Sequence, residues 1–263
     1  MKTSLSRRAL LATGLTAATL MPLKARAGTD SPTLAEACVL VPEQELGPYY
    51  IGDELVRSDI REGKPGVPLD LTLQVLDVRT CRPLADAAVD LWHCDAAGVY
   101  SGFGRESMLP PDDAPPDGML LGLSPDEGAP PLHAPGDAKT FLRGIQLTDR
   151  DGVARFRTIF PGCYPGRTNH IHFKVRTDGA RAGTTYRGGR IAHTGQIFFP
   201  EAIAAPLMQA GAYAAHKIRR TTQAEDGVFT RQNGRASTAR LAPVLATEPE
   251  RGFEAVLVAA VNR

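Results

Sequence analysis

Two histidines separated by a single residue are the clearest candidates for chemistry in this chain. His170 and His172 belong to the run NHIHFKV, residues 169–175, whose composition predicts a β-strand. Because successive side chains of a strand point to opposite faces, both imidazoles share one face, while Ile171 and Phe173 take the other. The two rings can therefore bind one metal ion. The pair alone is equally compatible with two histidines that are hydrogen-bonded within a sheet.

The surrounding residues restrict which metal such a pair would hold. A ferrous facial triad needs a carboxylate beside two histidines, but the strand has no HxD motif and no glutamate at the cupin spacing. No third histidine or cysteine stands at a recognisable zinc interval. The nearby group is Tyr164, six residues before His170 and beyond a Pro-Gly turn. A phenol with a pKa of about 10 is a poor ligand for most divalent ions.

Ferric iron differs because it attracts anionic oxygen strongly. Two phenolates and one hydroxide would balance its three charges, and two neutral imidazoles would complete a set of five ligands. A neutral assembly can be buried at modest desolvation cost. This interpretation requires a second tyrosine from another strand end. Tyr100 is the candidate, since the segment VDLWHCDAAGVYSGF (89–103) predicts a strand, a turn at Ala97-Gly98 and then this tyrosine.

Two segments together resemble a known enzyme family. VDLWHCDAAGVYSGF (89–103) and FPGCYPGRTNHIHFKV (160–175) are similar to the signature segments of the intradiol ring-cleavage dioxygenases, which include catechol, hydroxyquinol and protocatechuate dioxygenases. The stretch ELGPYY (45–50) resembles a further family segment. The resemblance runs discontinuously from about residue 41 to residue 200, and several motifs recur in order.

The resemblance implies cleavage of a catechol-type diol by dioxygen to a muconate-type dicarboxylic acid. It implies one Fe(III) per chain, bound by Tyr100, Tyr164, His170 and His172. Among these, Tyr164 would be the ligand that leaves when substrate binds. Arg167 would stabilise negative charge on the bound catecholate, and Gln196 would lie near the substrate, although an insertion lengthens its interval from the histidines. Pro48 and Tyr49 would line the pocket.

Two other classes of function remain open from the residues. One is a non-catalytic β-sandwich binding module that keeps the motif residues for packing. The other is a zinc-dependent hydrolase that uses His170, His172 and one of the remaining histidines. Of these, His93 is expected to be a strand histidine bonded to backbone, whereas we expect solvated or loop positions for His133, His193 and His216.

The elements that must position these groups are mostly strands. Alternation of apolar and polar residues over 69–75 predicts a half-buried strand. Further strands are predicted at 88–93, 140–147, 153–159, 169–176 and 194–199. Short strands separated by turn signals indicate an all-β fold, a β-sandwich of the immunoglobulin or transthyretin type. Residues 200–217 predict a helix. We expect one domain over 28–263. A proline-rich loop insertion is predicted at 101–139, either as a lid over the site or as a flexible insertion.

The first 27 residues read as an export signal. They hold five basic and no acidic side chains, and Arg7-Arg8 precedes an apolar run that ends before a small-residue cleavage site. The paired arginines resemble a twin-arginine signal, which predicts a periplasmic or secreted protein. No second hydrophobic segment reaches spanning length, so no membrane span is expected.

Charge and cysteine content further restrict the possible partners and disulfides of the protein. Without the leader, 25 basic residues (30 − 5) face 29 acidic ones, a net charge of −4 that argues against a nucleic-acid partner. Four cysteines outside any zinc pattern predict one or two disulfides in an oxidising compartment, with three full pairings possible among Cys38, Cys81, Cys94 and Cys163. The oligomeric state stays open, a dimer being one option.

Overall fold

The computed structural model describes residues 38–52, 54–104 and 135–263. All of them fall in one compact unit, Pro32–Arg263. The predicted leader and most of the predicted 101–139 insertion lie outside the described residues. Within the described ranges, no helix is long and apolar enough to cross a bilayer.

The described chain is mostly β-strand, as the sequence predicts. In chain order the strands are β1 (Pro68–Asp77), β2 (Arg82–Pro83), β3 (Ala88–Trp92), β4 (Arg143–Leu147), β5 (Val153–Ile159), β6 (His170–Thr177), β7 (Ala180–Ala182), β8 (Thr185–Arg187), β9 (Arg190–Phe198), β10 (Arg240–Pro243) and β11 (Phe253–Val261). The two described α-helices are short: α1 (Glu201–Leu207) and α2 (Gly227–Arg231).

The strands form two main sheets. One sheet runs in the order β10-β11-β1-β2, with β5 paired to β1, and the other runs β4-β3-β6-β9. The pairing of β1 with β11 is parallel, whereas every pair of the second sheet is antiparallel. The two sheets bury a common core, to which β1 contributes Leu71 and Leu73 and β6 contributes Ile171 and Phe173. The fold is therefore the predicted all-β sandwich.

The predicted helix over 200–217 is wrong in length. The α-helix ends at Leu207, and a separate 3₁₀ turn follows at Tyr213–Ala215. After Pro206 the amide of Gln209 bonds back only three residues, to the Pro206 carbonyl, and Gly211 adopts a left-handed φ of +53°. A glycine in that region ends a helix at no steric cost, so an alanine-rich composition does not extend the helix further.

The C-terminal part of the chain completes the first sheet. Strand β11 pairs with β1 over nine residues, from Leu69 opposite Phe253 to Asp77 opposite Val261. Strand β11 was not predicted, and its alanine-rich run FEAVLVAAV is equally typical of a helix. Helix α2, likewise not predicted, lies between β9 and β10 in the chain.

Candidate functional site

Strand β6 carries the histidine pair at the centre of the second sheet. It lies between β3 and β9, with His172 opposite Trp92 on one side and opposite Gln196 on the other. Its odd residues enter the core between the sheets, so the side chains of His170 and His172 occupy the opposite face. Both imidazoles are 1% exposed. The two imidazoles therefore lie on one face of β6, as predicted.

Four donor atoms converge on this face. The Nε2 atoms of His170 and His172 are 3.1 Å apart, and the Tyr164 hydroxyl lies 3.2 Å from His170 Nε2. The Tyr100 hydroxyl lies 3.5 Å from the same nitrogen and hydrogen-bonds with the Tyr164 hydroxyl. Ligands that sit about 2.0–2.1 Å from one ion are roughly 2.9–3.4 Å from each other. The three distances measured from His170 Nε2 are therefore close to those of ligands that share a single metal ion.

The two tyrosines arrive on loops that pack directly against each other. Tyr100 follows a turn in which the Asp95 carboxylate accepts hydrogen bonds from the amides of Ala97 and Val99. Gly98 of that turn has a φ of +79°, and a Cβ there would lie 2.5 Å from the carbonyl oxygen of Cys163. Only glycine permits this approach. The residue before Tyr164 is thus in backbone contact with the loop that carries Tyr100.

Hydrogen bonding sets the tautomer of one histidine. His170 Nδ1 lies 2.7 Å from the Thr168 carbonyl oxygen, which can only accept, so this nitrogen carries the proton. The Nε2 lone pair then points at the two phenols, as a metal ligand requires.

His172 is held differently. Its ring stacks on Trp92 with centroids 5.0 Å apart and planes 7° apart, and its buried Nδ1 has no hydrogen-bond partner within the described residues.

Burial and the Arg167 charge set the protonation states of the four groups. Burial raises the pKa of both Tyr100 and Tyr164 above the usual value for a phenol, and the nearby Arg167 charge opposes this rise. Burial lowers the pKa of His170 to about 3 and that of His172 well below its ordinary value, so both imidazoles are neutral. Two neutral imidazoles and two buried phenols that ionise only beside strong positive charge match a hard, highly charged ion. The donor set therefore fits ferric iron.

The segment 44–50 covers the site from the other side. Gly47 has a φ of +72°, and a Cβ there would lie 3.0 Å from His172 Cε1. Tyr49, predicted to line the pocket, is 5% exposed and stacks on Tyr100 with ring centroids 4.6 Å apart. Pro48, the other predicted pocket residue, is half-buried between these two residues. The structure thus brings this segment to the face of β6 that carries the two histidines.

Arg167 and Gln196 also reach the site. Gln196 lies opposite His172 in the β6–β9 pairing, because the hairpin of β7 and β8 contains the insertion that separates them in sequence. The Gln196 side-chain oxygen accepts a short hydrogen bond from Arg167 Nη2, and its nitrogen donates to the Glu45 carbonyl at 2.9 Å. The two residues therefore act as one hydrogen-bonded pair beside the ligands.

Two acidic residues around Arg167 were not predicted. Asp226 Oδ2 lies 3.1 Å from Arg167 Nε, and Glu45 Oε1 lies 3.5 Å from Arg167 Nη1. Asp226 follows the last family-like segment by many residues, so no spacing rule connects it to the site. The only local signal is that an aspartate before Gly227 is a favoured N-cap for a helix.

Two of the other described histidines, His93 and His216, are hydrogen-bonded to groups outside the four donor atoms. Both ring nitrogens of His93 are occupied, by the Cys94 carbonyl at 2.8 Å and the Thr158 hydroxyl at 2.7 Å. His216 bonds the Cys163 carbonyl at 3.1 Å. The expectation for His193 is wrong: it lies in β9, is 1% exposed and stacks on Phe173. His133 lies outside the described residues. Over the described ranges, no group of three or more His, Cys, Asp or Glu side chains could hold a metal ion.

The cysteines separate into one disulfide and two thiols. Cys38 and Cys81 are bonded, with Cα atoms 5.5 Å apart. Cys94 and Cys163 are free and buried, so they do not brace the site through a disulfide. The expected minimum of one disulfide is confirmed.

Comparisons with known proteins agree with the geometry. A scan against protein-family models finds no match. The chain is 30% identical over 165 residues to the beta chain of protocatechuate 3,4-dioxygenase from Burkholderia cepacia, covering 60% of this chain and 54% of that protein. It is 28% identical over 167 residues to catechol 1,2-dioxygenase 1 from Acinetobacter lwoffii, covering 55% and 44%. The chain thus spans about half the length of these curated relatives.

A solved structure matches far more of the chain. An intradiol ring-cleavage dioxygenase from Tetranychus urticae superposes with a TM-score of 0.68 at 34% identity, covering 86% of this chain and 95% of that one. This chain therefore belongs to the intradiol ring-cleavage dioxygenases.

Proposed function

We propose that this protein uses one ferric ion per chain to cleave a catechol-type aromatic diol with dioxygen. The bond broken is the one between the two hydroxylated carbons, and both oxygen atoms enter the product, a muconate-type dicarboxylic acid. The observation that carries the proposal is the convergence of two phenol oxygens and two imidazole nitrogens on one buried face of β6, where the two phenol oxygens and His172 Nε2 all lie 3.1–3.5 Å from His170 Nε2. Tyr100, Tyr164, His170 and His172 would hold the ion.

A ferric ion bound here would supply Lewis acidity, drawing electron density from a chelated diol so that a ring carbon can react with dioxygen. The protein's own groups perform the remaining tasks. Burial raises the pKa of Tyr164 and the nearby Arg167 charge lowers it, so Arg167 reduces the cost of ionising this phenol. As a phenolate ligand of the ion, Tyr164 would accept a proton from the arriving diol. Arg167 remains charged and presents positive charge to the oxygens of the bound diolate.

The site also excludes water. Tyr100 is fully buried, Tyr164 is 8% exposed, and Tyr49 packs against both rings. Removal of water strengthens the interaction of Arg167 with negative charge, because the local dielectric constant is low. Gln196 holds one end of the guanidinium by accepting a hydrogen bond from its Nη2, which restricts the position of this charge.

Metal content and colour test the proposal. Protein reconstituted with ferric iron should bind one ion per chain, turn red-brown through phenolate-to-iron absorption, change hue with added catechol, and consume one dioxygen per diol. A colourless zinc protein would favour the hydrolase, and a protein that binds no metal would favour the binding module. Either result, together with no oxygen uptake across a panel of catechols, would overturn the proposal.

Tyr164→Phe should shift or bleach the colour and depress turnover. Tyr213→Phe is the matched control, since Tyr213 is equally buried but donates its hydroxyl to the Phe160 carbonyl at 2.7 Å. The control should lose stability while keeping its colour. An unchanged spectrum and rate in Tyr164→Phe would remove that residue from the ligand set.

Export through the predicted leader is a further part of this proposal. The Cys38–Cys81 disulfide supports it, because disulfides persist mainly in oxidising compartments. Replacing Arg7 and Arg8 by lysine should block export of a twin-arginine substrate and leave the full-length chain in the cytoplasm. Normal export of the double variant would exclude the twin-arginine route.

A further inference from the structure

A fully buried carboxylate lies behind the active-site arginine. The Asp226 side chain is 0% exposed. Its Oδ2 accepts from Arg167 Nε at 3.1 Å and from the Thr168 amide at 2.8 Å. Its Oδ1 accepts from the amides of Val228 and Phe229 at 2.8 and 3.1 Å, and so caps helix α2. Each oxygen thus has two donors, a set that only an ionised carboxylate satisfies.

The contact at Nε distinguishes Asp226 from the other partners of Arg167. Glu45 lies 3.5 Å from Nη1 and is 15% exposed, and Gln196 is neutral. A hydrogen bond at Nε fixes the plane of the guanidinium at the point where it joins the side-chain stem, and the remaining nitrogens follow from that plane. Asp226 is the fully buried charge among these partners, and the backbone of α2 holds it in place.

The same carboxylate also supports one of the histidines. The Thr168 peptide donates its N–H to Asp226, and the Thr168 carbonyl accepts the Nδ1 proton of His170 at 2.7 Å. Asp226 therefore fixes both the residue that orients His170 and the side chain of Arg167. Groups that orient metal ligands from behind typically contribute about 10–100-fold to metal affinity or activity.

We propose that Asp226 is the positioning residue of this site: it sets the guanidinium plane of Arg167 and, through Thr168, the ring of His170. It is not a catalytic residue, since it touches none of the four donor atoms. The role in turnover rests on the proposed dioxygenase function, whereas the role in holding Arg167 does not.

Asp226→Asn and Asp226→Ser test the proposal, because both residues are good N-caps and keep helix α2 capped. Neither supplies an ionised acceptor to Arg167 Nε and Thr168 together. We expect kcat/KM with catechol to fall about 10–100-fold in each variant of the iron-loaded protein. Wild-type kcat/KM in both variants would overturn the proposal.

Asp149→Asn is the control for the same substitution at an exposed carboxylate with a similar set of hydrogen-bond donors. The Asp149 carboxylate also accepts two backbone amides, from Asp151 and Val153, and pairs with an arginine, Arg155 at 3.1 Å. It belongs to the turn between β4 and β5, away from the four donor atoms, so the same substitution there should leave kcat/KM unchanged. An equal loss in this control would mean that the Asp226 effect is general destabilisation.

A double-variant cycle separates positioning from other roles. If Asp226 acts through Arg167, Asp226→Asn should cost less activity in an Arg167→Gln background than in the wild type, because only the support of His170 through Thr168 is left to lose, so the two losses do not multiply in full. The double variant should also be more stable than Arg167→Gln alone, in which the buried Asp226 charge has lost its partner. Losses that multiply in full would overturn the proposal.

Hydrogen exchange supplies a readout that needs neither metal nor turnover. In the iron-free wild-type protein, the Arg167 Nε–H proton, assigned by its disappearance in Arg167→Gln, should exchange with solvent far more slowly than that of the exposed Arg150. In the Asp226 variants that protection should be lost. Fast exchange in the wild type would overturn the proposal, even if neither Asp226 variant folds. Slow exchange in a protein that cleaves no catechol would refute the proposed function and leave the Asp226–Arg167 pairing standing.

Discussion

The indole of Trp92 stacks on the imidazole of His172, with centroids 5.0 Å apart and planes only 7° apart. The contact matters because the Nδ1 atom of this histidine has no hydrogen-bond partner among the described residues. His170 is oriented by a hydrogen bond to the Thr168 carbonyl. The two ligands of the candidate centre are therefore held by different forces, one by a directional bond and the other by packing.

The first prediction concerns this stacking. Trp92→Ala should remove the flat surface that holds His172 and leave a cavity, costing about 3–5 kcal/mol of unfolding free energy as large-to-small core changes do. Iron affinity should fall with it. Trp92→Phe keeps an aromatic surface and should retain more of the iron. Equal iron affinity in the two variants, measured by titration with a chelator, would show that stacking does not orient the ligand.

A second prediction uses two glycines with the same backbone conformation. Gly47 and Gly63 both have a φ of +72°, but a Cβ at Gly47 would lie 3.0 Å from His172 Cε1, whereas a Cβ at Gly63 meets nothing within 4 Å. Gly63→Ala should therefore cost only the left-handed strain, about 1 kcal/mol. Gly47→Ala should cost more and should also lower iron occupancy, since His172 must move.

The difference in stability and iron content between these two variants measures only the effect of the close contact between residue 47 and His172. Thermal unfolding gives the stability of each, and metal analysis gives the iron content. Full iron occupancy in Gly47→Ala would mean that the segment covering the site can shift away without disturbing the ligand.

A third prediction concerns pH. Burial lowers the pKa of His193 from 6.5 to about 4, so this side chain is neutral in the folded protein at a pH where it is protonated in the unfolded chain. Between pH 4 and 6.5 the unfolded state then binds the extra proton, and stability rises with pH. The stabilising contribution is fully present above pH 6.5 and is lost as pH falls to 4. Its size is about 3 kcal/mol.

His193→Leu removes this titration. The unfolding free energy of the wild type relative to the variant should decrease by about that amount from pH 6.5 to pH 4, as measured by urea unfolding at several pH values. Parallel curves for the two proteins over this range would exclude His193 as the source.

The fourth prediction concerns the disulfide. The Cys38–Cys81 bond closes a loop across 43 residues, so its loss should cost about 4 kcal/mol by loop entropy. Replacing both cysteines by serine should lower the unfolding midpoint, and the variant should be insensitive to reducing agent. The wild type, unfolded without reductant, should titrate two free thiols, those of Cys94 and Cys163. Four titrated thiols would contradict the pairing.

Much of the candidate centre could be predicted from the sequence because its geometry is local. The period of a strand places His170 and His172 on one face whatever the surrounding fold. The charge balance of a ferric ion calls for two phenolates, and the Tyr164 loop precedes the histidines by only six residues. The strand over 153–159 was predicted at the observed bounds, since its apolar and polar residues alternate and turns bound it on both sides.

What the sequence could not determine depends on contacts between distant segments. Asp226 reaches Arg167 from 59 residues away, and Glu45 from 122 residues away on the other side. The pairing of Cys38 with Cys81 depends on where the N-terminal segment meets the end of β1, and strand β11 is specified by its parallel partner rather than by its own alanine-rich sequence. Local periodicity decides which way a side chain faces, but only the packed sheets decide which remote groups come to lie beside it.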